Sequence, residues 1–188
     1  MSSQFRPLAA QIDLPAMEHS ILAMWADQSI FERSLKAREG QMPWTFYEGP
    51  PTANGMPGTH HIEARVFKDV FPRFHTMKGK FVTRKAGWDC HGLPVEIAVE
   101  RELGFSGKGD IEKFGIAPFN DKCRESVTRH VDAFTTMTER MGFWVDFDQA
   151  YWTMSPEYVE SVWWSLKEIW KKGLLVQDHR VAPYCPRC

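Results

Sequence analysis

Apolar residues recur at helical spacing in several stretches of the chain. Met17, Ile21, Trp25 and Leu35 fall near one face, and Gly40 closes the segment, so one helix is expected over 17–37. Ile62, Val66, Val70, Phe71, Phe74 and Met77 mark a second helix over 61–79. Further helices are expected at 95–103 and 118–141. Another is expected over 156–172, where Pro156 stands in the first turn and Gly173 follows the end. Between the first two helices, Trp44 to Glu48 is short, aromatic and alternating, which reads as a strand. Residues 80–84 read as the next strand, with 142–146, 174–177 and 180–184 as further candidates, and 104–110 as a flexible loop. Strand, Gly/Pro-rich loop, amphipathic helix and strand make a β-α-β unit. That order predicts an α/β fold with a parallel sheet and a right-handed crossover.

The loops carry the candidate chemistry. Residues 49–58, Gly-Pro-Pro-Thr-Ala-Asn-Gly-Met-Pro-Gly, are almost all turn residues, so backbone can approach a ligand closely. The helix behind them aims its free N–H groups at the same spot, and His60 and His61 add donors for an anion. A phosphate-bearing ligand fits this pattern; so does a plain helix cap with two surface histidines, since no Gly-x-Gly-x-x-Gly or Walker pattern is present. Asp89, in the loop after the second strand, lies where open α/β sheets bind ligands. Its carboxylate could hold an ammonium group, or simply cap the next turn. His91 is a donor or a packed loop residue. Cys90 reads as a buried structural thiol rather than a nucleophile or a metal ligand, because no base and no ligand spacing accompany it. Trp163, Trp164 and Trp170 read as core or domain-contact residues rather than base-stacking platforms. Lys171 and Lys172 suit a helix end.

Composition narrows the class. The 188 residues hold 43% hydrophobic and 25% charged residues, which excludes global disorder and sets the size at one large domain, or one domain plus the start of another. No apolar run approaches the roughly 20 residues of a membrane span, and the first residues lack the apolar stretch of a secretory signal. A formal charge of −1 argues against nucleic-acid binding by bulk electrostatics. The cysteines are Cys90, Cys123, Cys185 and Cys188, and without a signal no disulfide framework is expected. Cys185-Pro-Arg-Cys188 has the spacing of a zinc half-site; its other ligands must lie elsewhere in the chain or in a longer protein.

Two blocks carry a family resemblance: Phe46-Tyr-Glu-Gly-Pro-Pro-Thr-Ala-Asn-Gly-Met-Pro57 and Arg84-Lys-Ala-Gly-Trp-Asp-Cys-His-Gly-Leu-Pro-Val-Glu96. Together with Cys123-Arg-Glu-Ser, Glu160-Ser-Val-Trp-Trp-Ser-Leu-Lys and the stretch from Asp178 to Cys188, they resemble the amino-terminal catalytic region of class I aminoacyl-tRNA synthetases. The Gly-Trp-Asp-Cys-His-Gly-Leu-Pro block is most similar to the isoleucyl branch. The resemblance implies the first half of a Rossmann-like nucleotide-binding domain over 44–180. It also implies an amino-terminal helical extension over 1–43 and the start of a zinc-binding and editing insertion over 181–188.

It further implies that the parent protein activates isoleucine with ATP and passes it to tRNA(Ile), as a cytoplasmic monomer with no membrane contact. His61 and His60 would act on the phosphates, while Asn54, Gly55, Pro57 and Gly58 shape the ATP loop. Gly49 and Pro50 would wall the amino acid, and Asp89 would hold its ammonium. Mg2+ would accompany ATP, and Cys185 and Cys188 would be the first pair of a four-cysteine zinc site. The family signature is His-x-Gly-His. Here Pro57-Gly-Thr-His-His61 puts Gly58 where the first histidine belongs, with His60 beside it. The family's Lys-Met-Ser-Lys-Ser loop and editing domain are absent from these residues. Isoleucyl enzymes are themselves the standard case for such editing, since an apolar pocket separates isoleucine from valine only about 150-fold. The isolated chain is therefore expected to bind ligand without catalysing adenylate formation. Another class I synthetase or related nucleotidyltransferase is the alternative.

Overall fold

Asp13 starts the first helix by accepting the Ala16 amide at 3.0 Å, with a proline in the first turn. The computed structural model describes residues 11–184. Helix α1 is Leu14–Asp27 and α2 is Ile30–Lys36. The single helix expected over 17–37 is thus two, because Ser29 adopts a left-handed φ of 48° that breaks the hydrogen-bond ladder.

Helix α3, Thr59–Met77, follows the Gly/Pro loop as expected. The strand expected before it is not formed. Only Pro43 bridges Phe81, in parallel, through Trp44 N to Phe81 O at 2.9 Å and Phe81 N to Met42 O at 3.1 Å. Beyond that bridge the Glu48 carbonyl is taken by the Tyr151 hydroxyl and the Gly49 carbonyl by Lys68, so side chains stand where ladder partners would be. The expected strand over 80–84 likewise contributes only that bridge. The ladder begins later, at β1, Lys85–Trp88.

Helices α4 (Leu93–Leu103), α5 (Lys108–Phe114), α6 (Ile116–Thr128) and α7 (Val131–Arg140) follow. Helix α5 falls partly in the expected loop, where Asp110 accepts from both the amide and the hydroxyl of Ser106. The long helix expected over 118–141 is split into α6 and α7. At the break the His130 amide leaves the helical ladder and donates to Ala53 O at 3.1 Å. Gly142, at φ 72°, closes α7, and the strand expected over 142–146 instead begins at its last residue, as β2, Asp146–Trp152. Helix α8, Pro156–Lys171, matches expectation and is capped by Ser155. The two strands expected at 174–177 and 180–184 are not strands among the described residues. Cys185 and Cys188 lie outside the described residues.

The pairing of β1 and β2 is parallel, with Lys85 opposite Asp146, Gly87 opposite Tyr151 and Trp88 opposite Trp152. With the Pro43–Phe81 bridge on either side of α3, the chain runs as the parallel α/β order requires. The core lies over this ladder. Trp88 stacks on Phe147 and meets Phe134 edge-on, and Ala53, Val95, Val127 and Cys90 close around them. Cys90 is buried, as expected, its Sγ 3.4 Å from Trp88 O.

Two helical faces do not join that core. On α3, Val66, Phe67, Val70, Phe71 and Met77 are half to three-quarters exposed. On α8 no residue is buried, and Trp163, Trp164 and Trp170 are 67%, 63% and 66% exposed. Of the two roles expected for these tryptophans, core or domain contact, the first is not met among the described residues.

Candidate functional site

The loop from Glu48 to Gly58 is held from several directions. Ala53 is fully buried, so the middle of a loop of turn residues is anchored in the core. Its carbonyl accepts from the His130 amide, and Asn54 Nδ2 donates to Pro94 O at 3.1 Å. The Asp89 amide donates to Pro51 O at 2.9 Å, and Thr52 Oγ1 donates to Asp89 Oδ2 at 3.2 Å. The two Gly/Pro loops read separately from the sequence therefore meet at one edge, just beyond the carboxyl end of β1. Asp89 Oδ1 also accepts from the His91 amide at 3.3 Å, which is the turn-capping geometry. His91 Nδ1 packs 3.1 Å from Thr153 Oγ1, which in turn accepts the Cys90 amide.

His61 sits in the first turn of α3. Its Nδ1 accepts the Gly58 amide at 2.9 Å, the back-reaching half of a capping box, while its own amide donates to the Gly58 carbonyl at 3.0 Å. An accepting Nδ1 requires the ring proton on Nε2, which leaves that N–H as a donor. Burial, followed by the charges of His60, Arg65 and Lys68, holds the His61 pKa below its ordinary 6.5. The neutral ring is thus the native form. Because the folded value is the lower one, protonation opposes folding: the His61 contribution is intact above pH 6.5 and is lost as pH falls below it. Urea midpoints of wild type and His61→Gln measured from pH 8 to 5 should converge as pH falls below that point. Parallel curves would count against this account.

His60 lies against its neighbour, the ring centroids 3.9 Å apart. A Cβ built on Gly58 would come within 3.0 Å of the His60 ring, so this imidazole fills the space beside the residue that lacks one. Gly55 faces open space, and Pro57 and Gly58 are half-buried. Gly49 is exposed and Pro50 half-buried beside it. Among the described residues no three His, Cys, Asp or Glu side chains gather to hold a metal, so His60, His61 and Cys90 form no such site. Two concavities, of about 520 and 680 Å³, are apolar seams beside α1 and α2 and do not include Asp89.

Several site residues went unread in the sequence. Lys68 and Arg65 share with His61 the i, i+4, i+7 face of α3, a spacing legible beforehand. Arg65 is buried, with its guanidinium 5.4 Å from the Phe134 ring centre and Nε on Thr138 Oγ1 at 2.9 Å. Tyr151 had no local signal, because its place depends on the β1–β2 pairing.

Among known proteins, the family model described as tRNA synthetases class I (I, L, M and V) matches residues 20–188. The chain is 72% identical over 185 residues to the isoleucine–tRNA ligase of Cutibacterium acnes, covering 98% of this chain and 17% of that protein. The ligase of the same name from Streptomyces coelicolor is 72% identical, with 98% and 18% covered. That of Thermus thermophilus is 51% identical over 176 residues, with 94% and 17% covered. The chain therefore spans less than a fifth of these relatives. A crystal structure of the Agrobacterium radiobacter K84 LeuRS in ternary complex with tRNA and LeuAMS shares the fold. Its TM-score is 0.59 at 21% identity, over 87% of this chain and 18% of that one.

Proposed function

This chain belongs to the class I tRNA synthetases (I, L, M and V), and from that membership we propose that it is the segment of an isoleucine–tRNA ligase that receives ATP and the amino acid. In the full-length protein the isoleucine carboxylate attacks the α-phosphorus of ATP, pyrophosphate leaves, and the acyl group of the adenylate then passes to tRNA(Ile). The chain's own part is positioning and charge stabilisation. The neutral His61 donates from Nε2 to phosphate oxygen, with His60 beside it in place of the missing first histidine. Asn54, Gly55, Pro57 and Gly58 frame the nucleotide, Gly49 and Pro50 wall the amino acid, and Asp89 pairs with its ammonium. Mg2+ would accompany ATP and offset the phosphate charge. Cys185 and Cys188 supply half of a zinc site whose remaining donors lie further along the parent. The parent works as a cytoplasmic monomer; among the described residues no helix is long and apolar enough to cross a membrane. We also assign residues 1–43 to an extension, 44–180 to the half-domain and 181–188 to the start of an insertion.

The observation that carries this reading is the bonding of Asp89 to Pro51 and Thr52, which ties the second loop to the loop that runs into the amino end of α3. ATP–pyrophosphate exchange by the full-length protein tests it. Exchange should depend on isoleucine and run far more slowly with valine. Exchange with leucine alone would sink it. For the 188 residues alone we expect no measurable exchange, together with strong binding of an apolar dye to the open faces of α3 and α8. Turnover by the purified chain would overturn that expectation.

A further inference from the structure

Glu48 and Gly49 immediately precede Pro50, yet neither is held by a strand ladder. Two side chains from separate elements hold them. The Glu48 carboxylate, only 6% exposed, is paired with Lys68 of α3, and the same ammonium donates to Gly49 O at 2.6 Å. From β2, the Tyr151 hydroxyl donates to Glu48 O at 2.8 Å. The carboxylate and both carbonyls of this dipeptide are therefore fixed at once.

The Tyr151 ring is itself seated. It lies so close over Gly87 that a Cβ there would come within 2.4 Å of it, and it stacks on Tyr158 of α8 at 5.6 Å with the planes 3° apart. Glycine at 87 is what makes room for the tyrosine. With Lys68 on one side and Tyr151 on the other, the peptide planes flanking Gly49 cannot rotate without breaking a bond to a half-buried partner.

We propose that Lys68 and Tyr151 are positioning residues that lock the Glu48–Gly49 backbone and thereby set the amino-acid wall at Gly49 and Pro50. The inference rests on the reading of that wall given above. Neither residue touches substrate; both act through the loop. Ångström-scale misplacement of a binding wall is felt in the ligand it faces, so amino-acid binding changes while nucleotide binding does not.

The test uses the full-length protein and the variants Tyr151→Phe, Lys68→Met and Lys68→Arg in isoleucine-dependent pyrophosphate exchange. Tyr151→Phe and Lys68→Met should each raise KM for isoleucine about tenfold, with KM for ATP and kcat within about twofold of wild type. Lys68→Arg, which keeps the charge and donors, should recover most of the loss. An isoleucine KM that stays within twofold in both variants, or one that rises in step with the ATP KM, overturns the proposal. If wild type shows no isoleucine-dependent exchange, the functional reading fails by itself. Backbone hydrogen exchange of residues 49–54 then decides: faster exchange in Tyr151→Phe than in wild type upholds the positioning role, and unchanged exchange overturns it.

Discussion

Replacing Asp89 by Asn in the full-length protein is expected to cut isoleucine-dependent pyrophosphate exchange by about 10²-fold or more, chiefly through KM for the amino acid. The carboxylate stands at the carboxyl end of β1, half-buried, and receives Thr52 Oγ1 on one oxygen and the His91 amide on the other. An asparagine oxygen can still accept one of those bonds, and the Asp89 backbone amide still donates to Pro51 O. The local fold therefore survives while the charge proposed to face the amino-acid ammonium is lost. Truncating one member of a buried, hydrogen-bonded charge pair costs about 2–5 kcal/mol, which brackets the expected loss. Steady-state kinetics with isoleucine and ATP varied separately, alongside a melting curve, checks both halves of the claim. Exchange within threefold of wild type would leave Asp89 with only its turn-capping role.

The largest stability effect is expected at Phe134. Its side chain has no exposed surface, meets Trp88 edge-on at 6.4 Å between centroids, and supports His61 edge-on at 4.8 Å. Phe134→Ala removes a filled volume that the rigid Trp88–Phe147 stack cannot collapse into, at a cost of about 3–5 kcal/mol. For a chain of this size that corresponds to a fall of roughly 6–20 °C in the melting midpoint. Phe134→Leu, which keeps most of the volume, should lose much less. Calorimetry on the three proteins decides the matter, and a drop under about 3 °C for the alanine variant would contradict it. Because His61 rests on the same ring, the alanine variant should also weaken ATP binding.

What could be read from the sequence was local. Helix α8 has a proline in its first turn and a glycine after its end, and α3 has a continuous apolar face, so both were placed to within about two residues. The two Gly/Pro-rich loops were visible because contiguous turn residues carry them. Ser29 hid the break between α1 and α2, since serine gives no sign of a left-handed backbone. His130 hid the break between α6 and α7, because the bond that stops the helix goes to Ala53, distant in sequence. The expected strand at 44–48 failed for a related reason: it pairs only beside the Pro43–Phe81 bridge, and at its far end Tyr151, distant in sequence, takes the Glu48 carbonyl. The residues that hold the site were less legible than those that form it, because holding depends on contacts made across the fold.

The burial of Ala53 ties this loop to a thermodynamic coupling. A loop whose central residue sits in the core cannot open as an independent lid; it melts when the core melts. Ligand held on its outer face then draws on the global folding equilibrium. If ATP binds there as proposed, each tenfold rise in its free concentration above the dissociation constant should add about 1.4 kcal/mol to the stability of the core that holds the loop. Heat denaturation would in that case serve as a titration of the nucleotide proposed to bind there.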